Sequence, residues 1–391
     1  MIQLLLDRSL ARAATWLAHP RWRLWVTGAC ILSAVCWQVP NYGHLYQQLV
    51  HGHELESNLE VFKQQITEPF ISHNDISRSH ESKMAYRLTL PLLARLLHIS
   101  VPGILLAQFL LGGLMYYVLL RLLESLVADR LAAALLALGL SCTYFGSAFS
   151  FDQFGYFDAF CYALLVFLFS VRQAWLVFAL CLAGSFIDER MLLASLLAVY
   201  WYGWQHYGWA PTSIWRFLSP RPAWAVYAAW LTWAGLRLGL WYATHLPVYG
   251  GLVGVVALRE SLALNLVGLG LVSGLKSYWL LPVLAAGLLL YHRHYRLLGW
   301  LILCAAPAFG GSLLVMDTTR SLSYGLPLIF ICLGMLKHYS TPFELRQLAL
   351  ILAFFSWLIP SYHIMGHLVY ASPFYLTILK IILKANVPQF Q

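Results

Sequence analysis

Residues 174–206 read AWLVFALCLAGSFIDERMLLASLLAVYWYGWQH, an apolar run in which Asp188, Glu189 and Arg190 alone carry full charge. The run is too long for one membrane crossing and short for two. Split at the charged triplet, each leg holds about 14 to 16 residues, or roughly 21–24 Å of helix at about 1.5 Å per residue. A hydrocarbon core of about 30 Å is not spanned by such a leg. The Asp188-Glu189-Arg190 turn is therefore expected to sit below the membrane surface, where irregular polar backbone is tolerated only against a cavity or inside protein.

The whole composition agrees with that local reading. Of 391 residues, 60% are hydrophobic, 15% aromatic and 10% charged, far from the roughly 25% charged residues of soluble domains. A water-soluble enzyme, a disordered chain and a collagen-like fibre are excluded. The seven cysteines all lie in apolar stretches with no C-x-x-C spacing, which makes them small buried hydrophobes. The net charge of +9 concerns membrane orientation here, and no nucleic-acid partner is expected.

Apolar stretches near spanning length occur at about 24–40, 102–122, 131–148, 157–171, 174–187, 191–206, 224–245, 278–291, 298–316, 321–336, 347–361 and 366–382. The expected fold is all-α: a polytopic bundle of about 11–12 spans forming a single transmembrane domain over 1–391. Residues 1–23, with Arg8, Arg12, Arg21 and Arg23, form a basic, uncleaved, in-plane lead-in. With these arginines in the cytoplasm, alternation places Arg121, Arg130, Arg172, Arg216, Arg221, Arg293, Arg296, Lys337, Arg346, Lys380 and Lys384 on the same side, 15 of the 25 basic residues. The positive-inside rule is satisfied. Only Asp7, Glu124, Asp129 and Glu344 join them, so 12 of 16 acids lie on the outer side.

An outer loop with its juxtamembrane helix occupies 41–98. Within it, Met84 to His98 is expected as one amphipathic helix on the membrane surface, with Thr89 as N-cap, Pro91 in the first turn, and Arg87, Arg95 and His98 on one face. Residues 250–276, rich in glycine, are expected to be re-entrant. No internal repeat of the kind common in transporters is present.

Several outer-face groups can carry chemistry. His73, Asn74, Asp75, Arg78, His80, Glu81, Lys83 and Arg87 form the densest charged cluster: a carboxylate there could take a proton from a hydroxyl while guanidiniums hold a phosphate, or the cluster is a solvated loop tied to headgroups. Asp317, Thr318, Thr319 and Arg320 open a span, either as a phosphate cradle at a helix N-terminus or as a cap in which Asp317 pairs with Arg320. Asp188, Glu189 and Arg190 are a functional site or a self-neutralising turn. Asp152 and Asp158, six residues apart, can be brought to one mouth by a tight turn at Gly155. Arg237, midway along 224–245, either snorkels to an interface or meets a buried phosphate.

His51-x-His53 lacks the spacing of a zinc hydrolase, so no transition-metal site is expected. A divalent cation such as Mg or Mn, held by outer carboxylates, remains compatible with the chain but is not required. No Walker loop, G-x-S-x-G or dinucleotide fingerprint occurs.

The basic N-terminus, first span, long outer loop with Asp75, segment Tyr86-Arg87-Leu88-Thr89-Leu90-Pro91 and many short-looped spans resemble the GT-C class of membrane glycosyltransferases. The runs His80 to Pro91 and Asp317 to Arg320 also resemble uncharacterised multi-pass proteins of bacterial polysaccharide loci. The resemblance implies a polyprenyl-phosphate-linked sugar as donor, surrounding membrane lipids as partners, and a bacterial inner (plasma) membrane with work at its outer face. It implies Asp75 as general base, Arg87, Arg320, Thr319 and Arg78 toward the donor phosphate, and Asp188, Glu189, Asp152 or Asp158 toward the acceptor, with Arg190, His80 and Arg237 as further candidates. The chain departs from the class in having Asn74 and Ile76, not a second acid, beside Asp75, and no soluble C-terminal domain is expected. The expected acceptor is thus lipid-linked or small. Rival readings are a polysaccharide polymerase or ligase, and a flippase or secondary transporter for a lipid-linked glycan.

Overall fold

The computed structural model describes residues 12–13, 15–38, 46–47, 57–71, 84–209, 213–244, 266–315, 317–364 and 368–371. In chain order the helices are α1 (Trp22–Trp37), α2 (Ser57–Thr67), α3 (Thr89–Leu96), α4 (Val101–Val127), α5 (Arg130–Leu140), α6 (Tyr144–Phe151), α7 (Asp158–Ser170), α8 (Ala174–Ser185) and α9 (Arg190–Tyr207). They continue with α10 (Ile214–Phe217), α11 (Arg221–Thr244), α12 (Leu266–Leu275), α13 (Leu280–Tyr291), α14 (Tyr295–Leu313), α15 (Thr318–Leu322), α16 (Leu328–Tyr339) and α17 (Pro342–Leu358).

Three described helical runs, Val101–Val127, Val267–Tyr291 and Tyr295–Leu313, are long and apolar enough to cross a membrane. Two bent pairs raise the number to five. Part of the difference from about twelve lies in length: α7 and α8 have 13 and 12 residues, about 18–20 Å of helix, too short to cross alone, whereas α11, with 24 residues, is long enough but not apolar enough. Leu106, Trp175, Leu231, Leu303 and Phe354 are exposed on the bundle's exterior, as befits helices whose outward faces meet lipid. Helix composition and outward surface are those of a membrane protein.

Local chemistry explains the breaks. The expected span at 131–148 bends by 60° between α5 and α6. There Ser141 and Thr143 turn their hydroxyls onto the carbonyls of Leu138 (2.6 Å) and Leu140 (2.7 Å), and Thr143 caps α6 by accepting from the Gly146 N–H. Hydroxyls that satisfy nearby backbone groups compete with helix continuation. A second bend, of 40°, separates 318–325 from α16. It ends at Pro327, which φ restriction and the missing N–H suit to a helix start.

Three other expectations are corrected. Met84 to His98 is not one helix: a short 3₁₀ turn at 84–86 precedes α3. Thr89 does not cap α3, whose N-cap is Leu88 with no side-chain hydrogen bond; its hydroxyl instead donates to the Ala183 carbonyl at 2.7 Å. Within the expected final span at 366–382, the described part, Leu368–Ala371, is a strand paired antiparallel with Ser361–Ile364, Tyr362 opposite Tyr370. The described fold is helical, as expected, apart from this one pair of four-residue strands, where β-branched and aromatic residues favour strand. Of 250–276, residues 250–265 lie outside the described residues, while 267–276 enter the helical run that ends at Tyr291.

Two ends of the bundle differ in how charge is handled. At one end Arg23 and Arg130 both bind Glu124, Arg346 binds Asp129, and Lys337 donates to the Ser125 carbonyl. At the other end of α4, Gln108, about 24 Å from Glu124 along the axis, donates to the Asp152 carbonyl at 2.8 Å.

The α5–α6 bend aims Asp152, and Gly146 permits it. A Cβ at Gly146 would lie 2.1 Å from the Leu140 carbonyl oxygen and 2.6 Å from the Tyr116 hydroxyl, which itself donates to the Gly146 carbonyl at 2.7 Å. Gly146→Ala should cost about 1–3 kcal/mol by overpacking. The check is the thermal unfolding midpoint of the purified protein, and an unchanged midpoint would contradict this account of the bend.

Candidate functional site

The site begins in the turn between α6 and α7. Gly155 has φ +85° and Phe157 φ +60°, so the chain reverses within six residues. A Cβ on Gly155 would stand 3.0 Å from the Leu59 backbone nitrogen, which leaves glycine as the residue that satisfies both the backbone angle and the space. The reversal brings Asp152 back onto the start of α7, where its Oδ2 accepts the Asp158 N–H at 3.1 Å. Asp158, the first residue of α7, benefits from the positive end of the helix dipole.

Asp188, fully buried in the turn between α8 and α9, is the centre of the site. Its Oδ1 accepts from the Arg190 backbone N–H at 2.9 Å and from Arg190 Nε at 2.8 Å. Its Oδ2 accepts from Arg190 Nη2 at 2.7 Å and lies 2.8 Å from Arg87 Nη2. Arg190 then reaches across to Asp158 Oδ1 at 2.9 Å and to the Ser321 hydroxyl at 2.6 Å. Asp158 Oδ1 also accepts from the Tyr324 hydroxyl at 2.7 Å, and the Tyr324 ring lies under the Arg190 guanidinium at 4.6 Å. Arg320 completes the cluster, its Nε 3.1 Å from Asp158 Oδ2 and 2.7 Å from Asp317 Oδ2, with Tyr156 stacked 3.8 Å away. Tyr162 fixes this turn by donating to the Arg320 carbonyl at 2.8 Å.

This network is not closed. Arg87 Nε and Nη1, Arg320 Nη1 and Asp152 Oδ1 are buried without a hydrogen-bond partner, and the contacts of Arg320 Nε to both carboxylates are close in distance but poorly aligned. Native structures leave few such atoms, and each calls for an explanation. The Arg87 side chain borders a small cavity with Phe62, Gln65, Met84, Pro91, Phe157 and Ile187, and Gln65 Oε1 also has no partner. Four carboxylates, Asp152, Asp158, Asp188 and Asp317, meet three guanidiniums. Among the described residues there is no surplus positive charge, so an anion would be held here by aimed N–H donors.

Of the residues singled out by sequence, Asp152, Asp158, Asp188, Arg87, Arg190 and Arg320 come together in this one cluster. Glu189 points away from it and pairs with Arg237 at 3.4 Å. Arg237 does not join the buried arginines: it packs over Tyr86 at 4.4 Å and Trp233 at 5.0 Å. Arg87 is separated from Arg95 and His98, both exposed, because it turns inward to Asp188. Asp317 makes no side-chain cap on α15 and serves as the ion-pair partner of Arg320. Thr319 is buried beside it. Asp75, Arg78 and His80 lie outside the described residues. Among the described residues, no group of three or more His, Cys, Asp or Glu side chains is arranged to hold a metal ion.

Tyr324, Ser321, Tyr156 and Gln108 belong to the site and escape a search for charges. Tyr324 had a sequence signal, four residues after Arg320 and so on the same helical face. Gln108 had one too, as an amide buried in an otherwise apolar span.

Removing one partner of a buried ion pair strands the other, at about 3–5 kcal/mol. Asp188→Ala should show a loss of that order in thermal stability, whereas Asp152→Asn, which keeps an oxygen for the Asp158 N–H, should lose less than about 1 kcal/mol. Equal losses would remove the distinction drawn between the two acids. No protein-family model, curated protein or solved structure matches this chain, so its functional reading rests on these residues and their geometry.

Proposed function

We propose that this protein is an inverting membrane glycosyltransferase of GT-C type, which moves a sugar from a polyprenyl-phosphate carrier to a lipid-linked or small acceptor. It works in a bacterial inner membrane, N-terminus in the cytoplasm, with the Asp188 cluster toward the extracytoplasmic side and about a dozen membrane-embedded segments around it. The observation that carries the reading is the open network: buried guanidinium donors on Arg87 and Arg320 stand in the same cluster as a buried carboxylate oxygen of Asp152, all without partners.

Transfer has two electrostatic needs, removal of a proton from the acceptor hydroxyl and neutralisation of charge on the leaving phosphate. The acceptor oxygen attacks the anomeric carbon as a carboxylate takes its proton. The bond from that carbon to the phosphate oxygen breaks, and its electron pair leaves on the carrier phosphate. Arg87 and Arg320 donate to that phosphate through nitrogens left unused by Asp188 and Asp158. Asp75 and Asp152 compete for the role of base. Asp158, Asp188 and Arg190 position the others.

Membranes with and without the protein, supplied with a radiolabelled polyprenyl-phosphate sugar, should differ by one product carrying a single added sugar. Arg87→Gln and Arg320→Gln should lower transfer by about 10²–10³. Whichever of Asp75→Asn and Asp152→Asn removes the base should lower it by about 10²–10⁴. Full activity in all four stably inserted variants would overturn the assignment. Counterflow of an unmodified glycolipid in proteoliposomes, with no covalent product, would replace it with transport.

A further inference from the structure

The end of the bundle away from the Asp188 cluster holds a second cavity, of about 450 Å³, between the ends of α4, α7 and α9. Its walls are apolar and aromatic, from Val118, Leu122, Phe167, Phe169 and Trp201; its polar groups are Arg121, Arg172, Ser125, Ser170 and Gln205. That volume lies within the roughly 300–1,000 Å³ of small-ligand sites.

The charge around it is one-sided. Among the described residues, no acidic side chain lines the cavity. The nearest acid in sequence, Glu124, is taken by Arg23 and Arg130, while Arg121 and Arg172 form no ion pair among the described residues. Lys337 adds a third cation at the edge through its 2.9 Å bond to the Ser125 carbonyl. The serines are spent on their own helices, Ser125 on Leu122 and Ser170 on Val166, so the donors left to a ligand are the two guanidiniums, which alone carry charge, and the Gln205 amide.

A third observation separates a lipid from a soluble anion. Leu106, Leu110 and Leu114 are exposed at four-residue spacing on α4, 59%, 64% and 51% accessible, and the same row continues into Val118 of the cavity wall. Such a row is a continuous ridge along the helix. From residue 106 to 118 it runs about 18 Å, comparable to an extended acyl chain, and it ends beneath the two arginines.

We propose that this cavity binds the phosphate headgroup of an anionic phospholipid, with Arg121 and Arg172 on the phosphate and one acyl chain along the Leu106–Leu110–Leu114–Val118 ridge. Basic pockets between membrane helices favour such headgroups. The site is separate from the Asp188 cluster and does not depend on the reaction proposed for it.

The experiment uses the full chain in phosphatidylcholine nanodiscs, with phosphatidylglycerol at increasing mole fraction and the melting midpoint as readout. A saturable rise should appear for the wild type and for Arg95→Gln, whose side chain lies outside the cavity. In Arg121→Gln/Arg172→Gln, half-saturation should shift by about tenfold or more, as loss of charge-assisted bonds requires. Equal midpoints in the two lipids, or an unshifted curve in the double variant, would overturn the proposal. Two measurements need no variant: native mass spectrometry should retain phosphatidylglycerol over phosphatidylcholine on the wild type, and glycerol 3-phosphate should give no comparable rise. Indifferent retention, or a full rise with glycerol 3-phosphate, rejects a lipid occupant.

Discussion

A carboxylate with no access to water must be neutralised by its neighbours, and Asp188 sets that requirement for the rest of this structure. An isolated ion at such depth costs several kcal/mol, more than most single contacts can return. Arg190 approaches through Nε and Nη2 and Arg87 through Nη2. To deliver those groups, the segment before α3 must lie against the α8–α9 turn. It is tied there by the Thr89 N–H to the Phe186 carbonyl (3.3 Å) and the Thr89 hydroxyl to the Ala183 carbonyl. Arg190, once placed, fixes the start of α7 through Asp158 and the start of α15 through Ser321. Four stretches distant in sequence are thereby held around one acid.

The opposite end shows what a purely structural charge cluster looks like in the same protein. There Asp129 accepts from Arg346 and caps α5 through the Ala132 N–H at 2.7 Å, and Glu124 receives two arginines. Those groups are partly exposed, so water can complete whatever the protein leaves undone, and such pairs contribute little. At the Asp188 end the open atoms are cut off from bulk solvent, so their bonds are completed only by a bound water or ligand. Donors left open under full burial are a cost to folding, and a cost retained at the densest meeting of charge in the molecule argues for a ligand that completes the bonds.

Much of this was legible because length and charge are hard constraints in a membrane. Two legs too short to cross point to a turn enclosed by protein, and Asp188 is buried. Gly155 between two aspartates announces a reversal, and Arg87 and Arg320 stand near acids in the sequence, Glu81 and Asp317. What the residues did not disclose depends on tertiary partner choice. Arg237 looked like a free cation in a span, yet Trp233 stands one turn earlier on its own helix, and Tyr86 arrives from a distant segment. The strand Leu368–Ala371 falls in a stretch, 366–382, whose composition suggests a spanning helix, because a short apolar run does not reveal its period. Thr89 fitted the composition of a helix cap, but its hydroxyl is claimed by a carbonyl of α8, a contact with no trace in local sequence.

The charge count bears on chemistry as well as on folding. Among the described residues, four carboxylates against three guanidiniums leave the cluster short of positive charge before any substrate arrives, and a phosphate diester adds one more negative charge. In the proposed transfer the carrier phosphate gains a further charge as the sugar departs, which this cluster could not absorb through its arginines alone. A carboxylate that takes the acceptor's proton loses one negative charge in the same step. If that carboxylate is Asp152, the total charge near the arginines is unchanged across the reaction, and charge moves only from an acid to the phosphate. The excess of acid, which argues against a simple anion trap, is then what allows a buried site to tolerate the charge released by the leaving group.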